Sequence, residues 1–254
     1  VIDLHCHVLP GIDDGPSTLD GSIALARAAA AAGIDTLVAT PHVSARYRND
    51  AATIAPLLAQ LNDRLDTEQV AVRVRAGAEI AMTHIAEIDP AELSLLGLGG
   101  GRWLLLEPPF GSVATALEAI VDGVQQLGYD VLLAHPERCR VFHRDPEIVT
   151  RLVSRGVRTS VTAGSLVGSF GSSVRRFALA MLDQEIVHNV TSDAHDDLER
   201  PPGIAEPLQR VGYASLSDWL TLEVPIAILA GEEIPRRPEV SRAPPRRWRL
   251  ALRH

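Results

Sequence analysis

Seven short runs rich in apolar and β-branched residues, at 1–5, 35–40, 72–79, 103–107, 131–135, 158–162 and 187–193, are separated by segments of helical character at 17–32, 52–66, 113–127, 146–154 and 174–183. Strands alternating with helices predict a parallel sheet, because each strand must be carried back to the starting end by a crossover before the next can pair. Runs such as Trp103-Leu104-Leu105-Leu106-Glu107 and Val131-Leu132-Leu133-Ala134-His135 lack the apolar–polar alternation of a half-exposed strand. They are expected to be covered on both faces, as a barrel or a doubly wound sheet provides. Ser17, Gly33, Gly128 and Gly156 stand at helix ends as cap and turn residues. At 254 residues and 46% hydrophobic, the chain can bury a sizeable core. No repeat or linker divides it, and one unit is expected over 1–233.

Residues 234–254 differ, with seven arginines, one acid and four prolines. They read as a C-terminal tail or short helix packed on the outside, the alternative being an anion or membrane-surface contact. The glycines at 97–101 precede a strand rather than a helix, so they read as a turn and not as a phosphate loop.

Charge and cysteine content exclude several classes of function. A net charge of -8 argues against nucleic-acid binding, which requires a basic face. All the basic residues other than histidine are arginine. Schiff bases, Walker-type loops and carbamylated-lysine metal bridges are therefore ruled out. Two cysteines, Cys6 and Cys139, cannot build a disulfide framework and point to a reducing compartment, the cytoplasm. No apolar run reaches the roughly 18 residues of a membrane span, and the first residues carry no basic leader.

Polar residues fall at the C-terminal ends of the strand runs. His5 and His7 straddle the end of the first, and the two-residue period of a strand points both imidazoles the same way. His42 follows the second, Glu79 ends the third, Glu107 the fourth and His135 the fifth. Asp193 and His195 repeat the i, i+2 spacing at the seventh, while the sixth run offers no ligand. Asp13 and Asp14 add carboxylates in the loop after the first. In parallel α/β architectures this rim is where ligands bind, so these groups are expected to converge. Acids and imidazoles packed so densely require cations between them.

Mixed imidazole and carboxylate donors suit zinc, manganese or iron, and the scarcity of thiolates excludes an iron–sulfur cluster or zinc finger. Cys6, between the two histidines, points to the opposite face. About nine donors at three or four per ion make three ions a natural count. A hydroxide held between ions ~3.5–4 Å apart is a nucleophile at neutral pH, which leads to phosphoester hydrolysis. Arg138, three residues beyond His135, and Arg200, five beyond His195, could grip phosphate oxygens. The alternative for each is a surface ion pair, with Glu137 or Glu199. Tyr47 could stack on an aromatic substrate ring or simply pack. His84, His143, His188 and His254 lie away from ligand spacing and read as structural or surface residues.

His5-Cys6-His7, Gly11-Ile12-Asp13-Asp14-Gly15, Thr40-Pro41-His42, Gly77-Ala78-Glu79-Ile80, Glu107, Ala134-His135-Pro136-Glu137-Arg138 and Ser192-Asp193-Ala194-His195 together resemble the PHP (polymerase and histidinol phosphatase) superfamily. With Tyr47-Arg48-Asn49 and Arg200-Pro201-Pro202, the chain is most similar to its bacterial protein-tyrosine phosphatase branch, the capsule and exopolysaccharide regulators. The resemblance runs from residue 1 to about 202. It implies an α/β fold, a distorted (β/α)7 barrel of the PHP type, holding three divalent ions, usually manganese. It also implies a phosphotyrosine protein substrate, the tail of a bacterial tyrosine kinase controlling polysaccharide synthesis. Carried over by position, His5, His7, Glu79 and Asp193 would hold one ion, and Glu79 would bridge to a second held by Glu107 and His135. Asp14, His42 and His195 would hold the third, and Arg138 and Arg200 would take the phosphate. The chain departs from the pattern at Val43-Ser44-Ala45-Arg46, where some members carry a second histidine, and in its arginine-rich tail.

Other readings compete. A histidinol-phosphate or other small-molecule phosphatase of the superfamily would use the same centre. An amidohydrolase would need Glu79 in place of a bridging lysine, and a metal-stabilised binding module would not need both arginines. A cysteine phosphatase requires Cys-x5-Arg, but counting on from Cys6 and Cys139 reaches Ile12 and Asp145.

Overall fold

The computed structural model describes residues 1–109 and 117–239. Each of the seven runs contains a strand, and the described residues hold nine because His42–Val43, beyond the second run, and Glu79–Ala81, at the end of the third, pair as separate strands. They are β1 (Ile2–Cys6), β2 (Thr36–Ala39), β3 (His42–Val43), β4 (Arg73–Arg75), β5 (Glu79–Ala81), β6 (Trp103–Glu107), β7 (Asp130–Ala134), β8 (Arg158–Thr162) and β9 (Asn189–Thr191). Every ladder is parallel, as the alternation predicts.

The breaks have local causes. Between β2 and β3 stands Pro41, which has no N–H to give a ladder. Opposite it, Gly77 separates β4 from β5, and a Cβ there would lie 2.7 Å from Val38 Cγ1, so only glycine allows the two backbones to approach this closely. The pairing consequently divides into a three-stranded sheet, β1-β2-β4, and a six-stranded sheet, β3-β5-β6-β7-β8-β9. Backbone contacts join the two. Cys6 forms a parallel bridge with Ala194, His7 N donates to Ala194 O at 2.9 Å, and Asp193 N donates to His5 O at 3.0 Å.

A buried carboxylate reinforces this seam. Asp3 accepts the hydroxyl of Ser192 at 2.5 Å and the backbone N–H groups of Ser192 and His5. Along β1, side chains alternate as strand geometry requires. Leu4 and Cys6 are fully buried in the apolar core, and Asp3, His5 and His7 face the other way.

Helices cover the strands. Leu19–Ala31 starts behind Thr18, whose hydroxyl accepts from Gly21 N, one residue later than the expected cap at Ser17. Ala51–Thr67 starts behind Asp50, whose carboxylate accepts from Thr53 N. Leu117–Gln126, Glu147–Ser154 and Ser172–Asp183 follow the remaining periodic segments. The expected helix at 113–127 begins outside the described residues. Ala205–Arg210 and Val224–Ala230 lie beyond the last strand and are too short for periodicity to reveal. Residues 240–254 of the arginine-rich tail also lie outside the described residues, while Trp219 Nε1 donates to Pro235 O and anchors its start. Among the described residues, no helix is long and apolar enough to cross a membrane.

Candidate metal centre

Strand ends deliver the polar groups to one place, and two kinds of backbone feature aim them. His135 and Asp193, each just past its strand, adopt left-handed backbone (φ 29° and 52°), which turns the chain sharply as the ladder ends. A non-glycine residue there costs about 1–2 kcal/mol, so the surroundings must hold it. Glu79 is placed by the break at Gly77, since it opens β5 rather than closing an unbroken third strand.

All nine expected donors meet. Four groups each bring their ligand atoms within 4.8 Å of one another: His7, Asp14, His42 and His195; His5, His7 and Asp193; His5, Glu79 and His135; and His42, Glu79 and Glu107. The grouping differs from that implied by resemblance, where Glu79 alone is shared, because His5, His7 and His42 as well as Glu79 each belong to two groups. Glu79 is central. Its Oε1 lies 2.8 Å from His135 Nε2, and its Oε2 lies 3.3 Å from both His5 and His7 Nε2 and 3.0 Å from His42 Nδ1.

Two observations test whether cations fit here. Glu79 Oε2 is buried with no hydrogen bond of normal geometry, although three imidazoles crowd it. The Nε2 atoms of His5 and His7 face each other at 3.2 Å, fully buried. Two ring nitrogens in that position can share at most one proton, and a cation bound by both lone pairs satisfies them. With imidazoles and carboxylates as the only donors, the residues present fit divalent ions of the zinc, manganese or iron type.

The electrostatics agree. Burial pushes the Glu107 carboxyl up to about 7, and the nearby Glu79 carboxylate adds to this. Burial also pushes Glu79 up, but the charge of His5, the bond from His135 and the close approach of His42 outweigh it and hold Glu79 well below the usual carboxylate range. His135 is pushed down to about 4 by burial and by the Arg138 guanidinium, which leaves its ring neutral and able to donate a lone pair.

Adjacent aspartates have different roles. Asp14, half exposed, faces the cluster, 3.4 Å from both His42 Nε2 and His195 Nε2. Asp13 is turned away, and its side chain is buried. It bonds His7 Nδ1 at 2.8 Å and accepts from Gly15 N and His42 N, so it orients an imidazole from behind. No spacing rule separates the two in the sequence.

Above the cluster opens a cleft of about 280 Å³. The ion pairs with Glu137 and Glu199 considered for the two arginines do not form. Arg138 Nη1 and Arg200 Nη2 converge instead on one oxygen of Asp193, at 2.5 and 2.7 Å. Glu137 is buried and turned toward Thr162 N and Ser165 Oγ, and Glu199 is exposed. Tyr47 lies on the cleft wall with its ring stacked on His42 at 5.4 Å and 9°. Ser44 and Arg46 also line the cleft, Arg46 with its guanidinium 5.0 Å from the Tyr47 ring. As loop residues, half-buried Ser44 and exposed Arg46 carry no signal in the sequence.

Neither cysteine reaches the cleft. Cys6 lies in the core and Cys139 is buried, with its thiol on Pro109 O. His84 pairs with Glu87, His143 bonds Glu137 O, and His188 is buried against Trp219. His254 lies outside the described residues.

Relatives share this chain over most of its length. It is 39% identical over 197 residues to the tyrosine-protein phosphatase YwqE of Bacillus subtilis, a match spanning 77% of this chain and 78% of that one. It is 31% identical over 204 residues to the Staphylococcus aureus protein CapC, spanning 79% of each. A solved structure from work on YwqE of Bacillus subtilis and CpsB of Streptococcus pneumoniae, described as unique metal-dependent tyrosine phosphatases, superposes with a TM-score of 0.85 at 34% identity. That superposition covers 95% of this chain and 100% of the other. The profile of the capsular polysaccharide synthesis family CpsB/CapC matches residues 1–218, which include every donor of the cluster and both arginines. A chain with this centre, this fold and this continuous match belongs to the CpsB/CapC family of capsular polysaccharide synthesis.

Proposed function

We propose that this chain is a metal-dependent protein-tyrosine phosphatase that works in the cytoplasm on a phosphotyrosine protein, a bacterial tyrosine kinase that controls polysaccharide synthesis. Its seven strand directions, with the seam between Cys6 and Ala194, are read as a distorted (β/α)7 barrel. The observation that carries the reading is the convergence of nine metal-binding side chains beneath two arginines in one open cleft.

Three divalent ions, manganese being the proposed metal, would be held by His5, His7, Asp14, His42, Glu79, Glu107, His135, Asp193 and His195. Bound there, they supply Lewis acidity to phosphoryl oxygens and to water. The chain's own residues do the rest. Arg138 and Arg200 reach one point from two different loops, and the Asp193 oxygen between them marks where an anionic oxygen can be gripped by both guanidiniums. Asp13 holds the His7 ring in one tautomer and one orientation. Tyr47, stacked on His42 beside the mouth, offers its ring face to the substrate's aromatic ring.

Three measurements test this: metal content of the purified protein, hydrolysis of a phosphotyrosyl peptide with manganese and with a chelator, and a parallel assay on histidinol phosphate. The expected result is bound metal, chelator-sensitive release of phosphate from the peptide, and weak turnover of the small phosphate. Preference for histidinol phosphate would transfer the function to a small-molecule phosphatase, and turnover unaffected by chelator would overturn the metal centre.

A further inference from the structure

Three arginines line the cleft, and two of them are already engaged. Arg138 and Arg200 meet at one oxygen of Asp193, while Arg46 lies on the wall beside Tyr47. Arg46 is exposed and forms no ion pair among the described residues. Its place is fixed by the loop rather than by its own side chain. Ser44 N donates to Tyr47 O at 2.8 Å and Tyr47 N donates to Ser44 Oγ at 3.1 Å, which closes the turn that carries Arg46. Val43, before that turn, is buried in the core and bridges to Arg48 after it. Asn49 then donates its amide to Ile12 O and His42 O, tying the loop to the segment that brings in Asp14. Tyr47 is the link to the metal centre. Its ring stacks on His42, a donor of the cluster, at 5.4 Å, and Arg46 Cζ lies 5.0 Å from the same ring. The guanidinium therefore stands one ring beyond a donor imidazole, on a loop whose shape is set before any substrate arrives.

We propose that Arg46 is a specificity-determining residue that binds a carboxylate of the substrate, close in sequence to the phosphotyrosine held in the cleft. The inference rests on the phosphatase reading above and adds a charge preference to it. A phosphotyrosine gripped by Arg138 and Arg200 fills the depth of the cleft with its own ring, which leaves its Cα at the mouth. The next residues, ~3.8 Å apart along the chain, then pass Arg46. A lone guanidinium matches one carboxylate in charge and in its two-pronged geometry. The phosphate has its own pair of guanidiniums, so Arg46 is not needed there. An aspartate or glutamate side chain, or the free end of the substrate chain, supplies the carboxylate.

The test uses the full chain with manganese and phosphotyrosyl peptides with amidated ends, in which glutamate, glutamine or lysine is moved singly through the positions on either side. A second set ends in a free carboxylate at the same distances, and para-nitrophenyl phosphate, which has none, is the reference substrate. At one position, glutamate should raise kcat/KM about fivefold over glutamine, the upper end for an ion pair open to solvent, while lysine gives no gain. A gain confined to the second set assigns the carboxylate to the chain end. Added salt should shrink the advantage, because a pair at the mouth is screened. Arg46→Ala should erase the preference, Arg46→Lys should keep part of it, and Arg46→Glu should transfer it to the lysine peptide. A merely structural role cannot produce that inversion. A flat profile in the parent protein, or a preference that survives Arg46→Ala, overturns the assignment alone. An equal loss on every peptide and on para-nitrophenyl phosphate would place Arg46 on the reacting phosphate and overturn it as well. Failure to hydrolyse any phosphotyrosyl peptide removes the phosphatase reading and the assignment with it.

Discussion

Asp13 and Asp14 are neighbours of identical chemistry, and the structure predicts opposite consequences for their loss. Asp13 makes three hydrogen bonds, to His7 Nδ1, Gly15 N and His42 N, from a side chain that is 1% exposed. Bonds to an ionised acceptor contribute about 1.5–3 kcal/mol each, and the sum is reduced because water can enter the vacated space. Asp13→Ala should therefore cost about 3–5 kcal/mol. At ~2–4 °C per kcal/mol for a chain of this size, Tm should fall by roughly 10 °C. The freed His7 ring should also lower metal affinity by about 10–100-fold. Asp14 is 48% exposed and, among the described residues, pairs with His42 and His195. With the metal stripped, Asp14→Ala should leave Tm within about 2 °C of the parent, yet the protein should bind fewer ions. Thermal unfolding followed by circular dichroism in chelator, with metal content measured after reloading, distinguishes the two. A stable Asp13→Ala paired with a destabilised Asp14→Ala would show that the assignment of supporting and ligating roles is reversed.

The other predictions concern the arginines, the thiols and a buried histidine. Arg138→Ala or Arg200→Ala should lower kcat/KM on a phosphotyrosyl peptide by about 10²–10³-fold with metal content unchanged; unaltered kinetics would remove that arginine from phosphate binding. Treating the folded, metal-retaining protein with a thiol-alkylating reagent should leave activity intact, since both thiols are buried and neither lines the cleft, and loss of turnover under those conditions would contradict a thiol-free mechanism. His188 accepts from Thr159 N, and burial, with Arg158 and Arg237 nearby, pushes its ring down to about 3. Because the unfolded chain takes up this proton near pH 6.5, stability is complete above that value and declines as pH falls toward 3. At pH 5 the loss is about 2 kcal/mol. His188→Asn keeps an acceptor for Thr159 N and should flatten this part of the stability profile in urea titrations; an unchanged slope between pH 6.5 and 5 would refute it.

Much of the centre was legible because its geometry follows from two local rules. A strand alternates its side chains, so His5-Cys6-His7 must present two imidazoles together and send the thiol into the core. Parallel strands all end on one rim, so His42, Glu79, Glu107, His135, Asp193 and His195 had to approach one another once the alternation of strand and helix was recognised. The sequence could not show which groups would face inward from loops. Asp13 and Asp14 differ only in how the chain turns after β1. Arg138 was equally compatible with Glu137 until the fold buried that glutamate beneath Thr162 and Ser165.

The sequence by itself determined the parallel architecture, the eight candidate donors at strand ends and the lack of a Cys-x5-Arg motif, since these depend on residue type and short-range period. Only the tertiary structure decided that two strands break at Pro41 and Gly77, that both arginines share one oxygen of Asp193, and that Asp13 turns away from the cluster while Asp14 faces it. Those features depend on contacts between segments as much as 189 residues apart, such as Asp3 with Ser192 across the seam. No local pattern encodes them, because the free energy that selects them comes from packing and from pairing buried polar groups across the assembled fold.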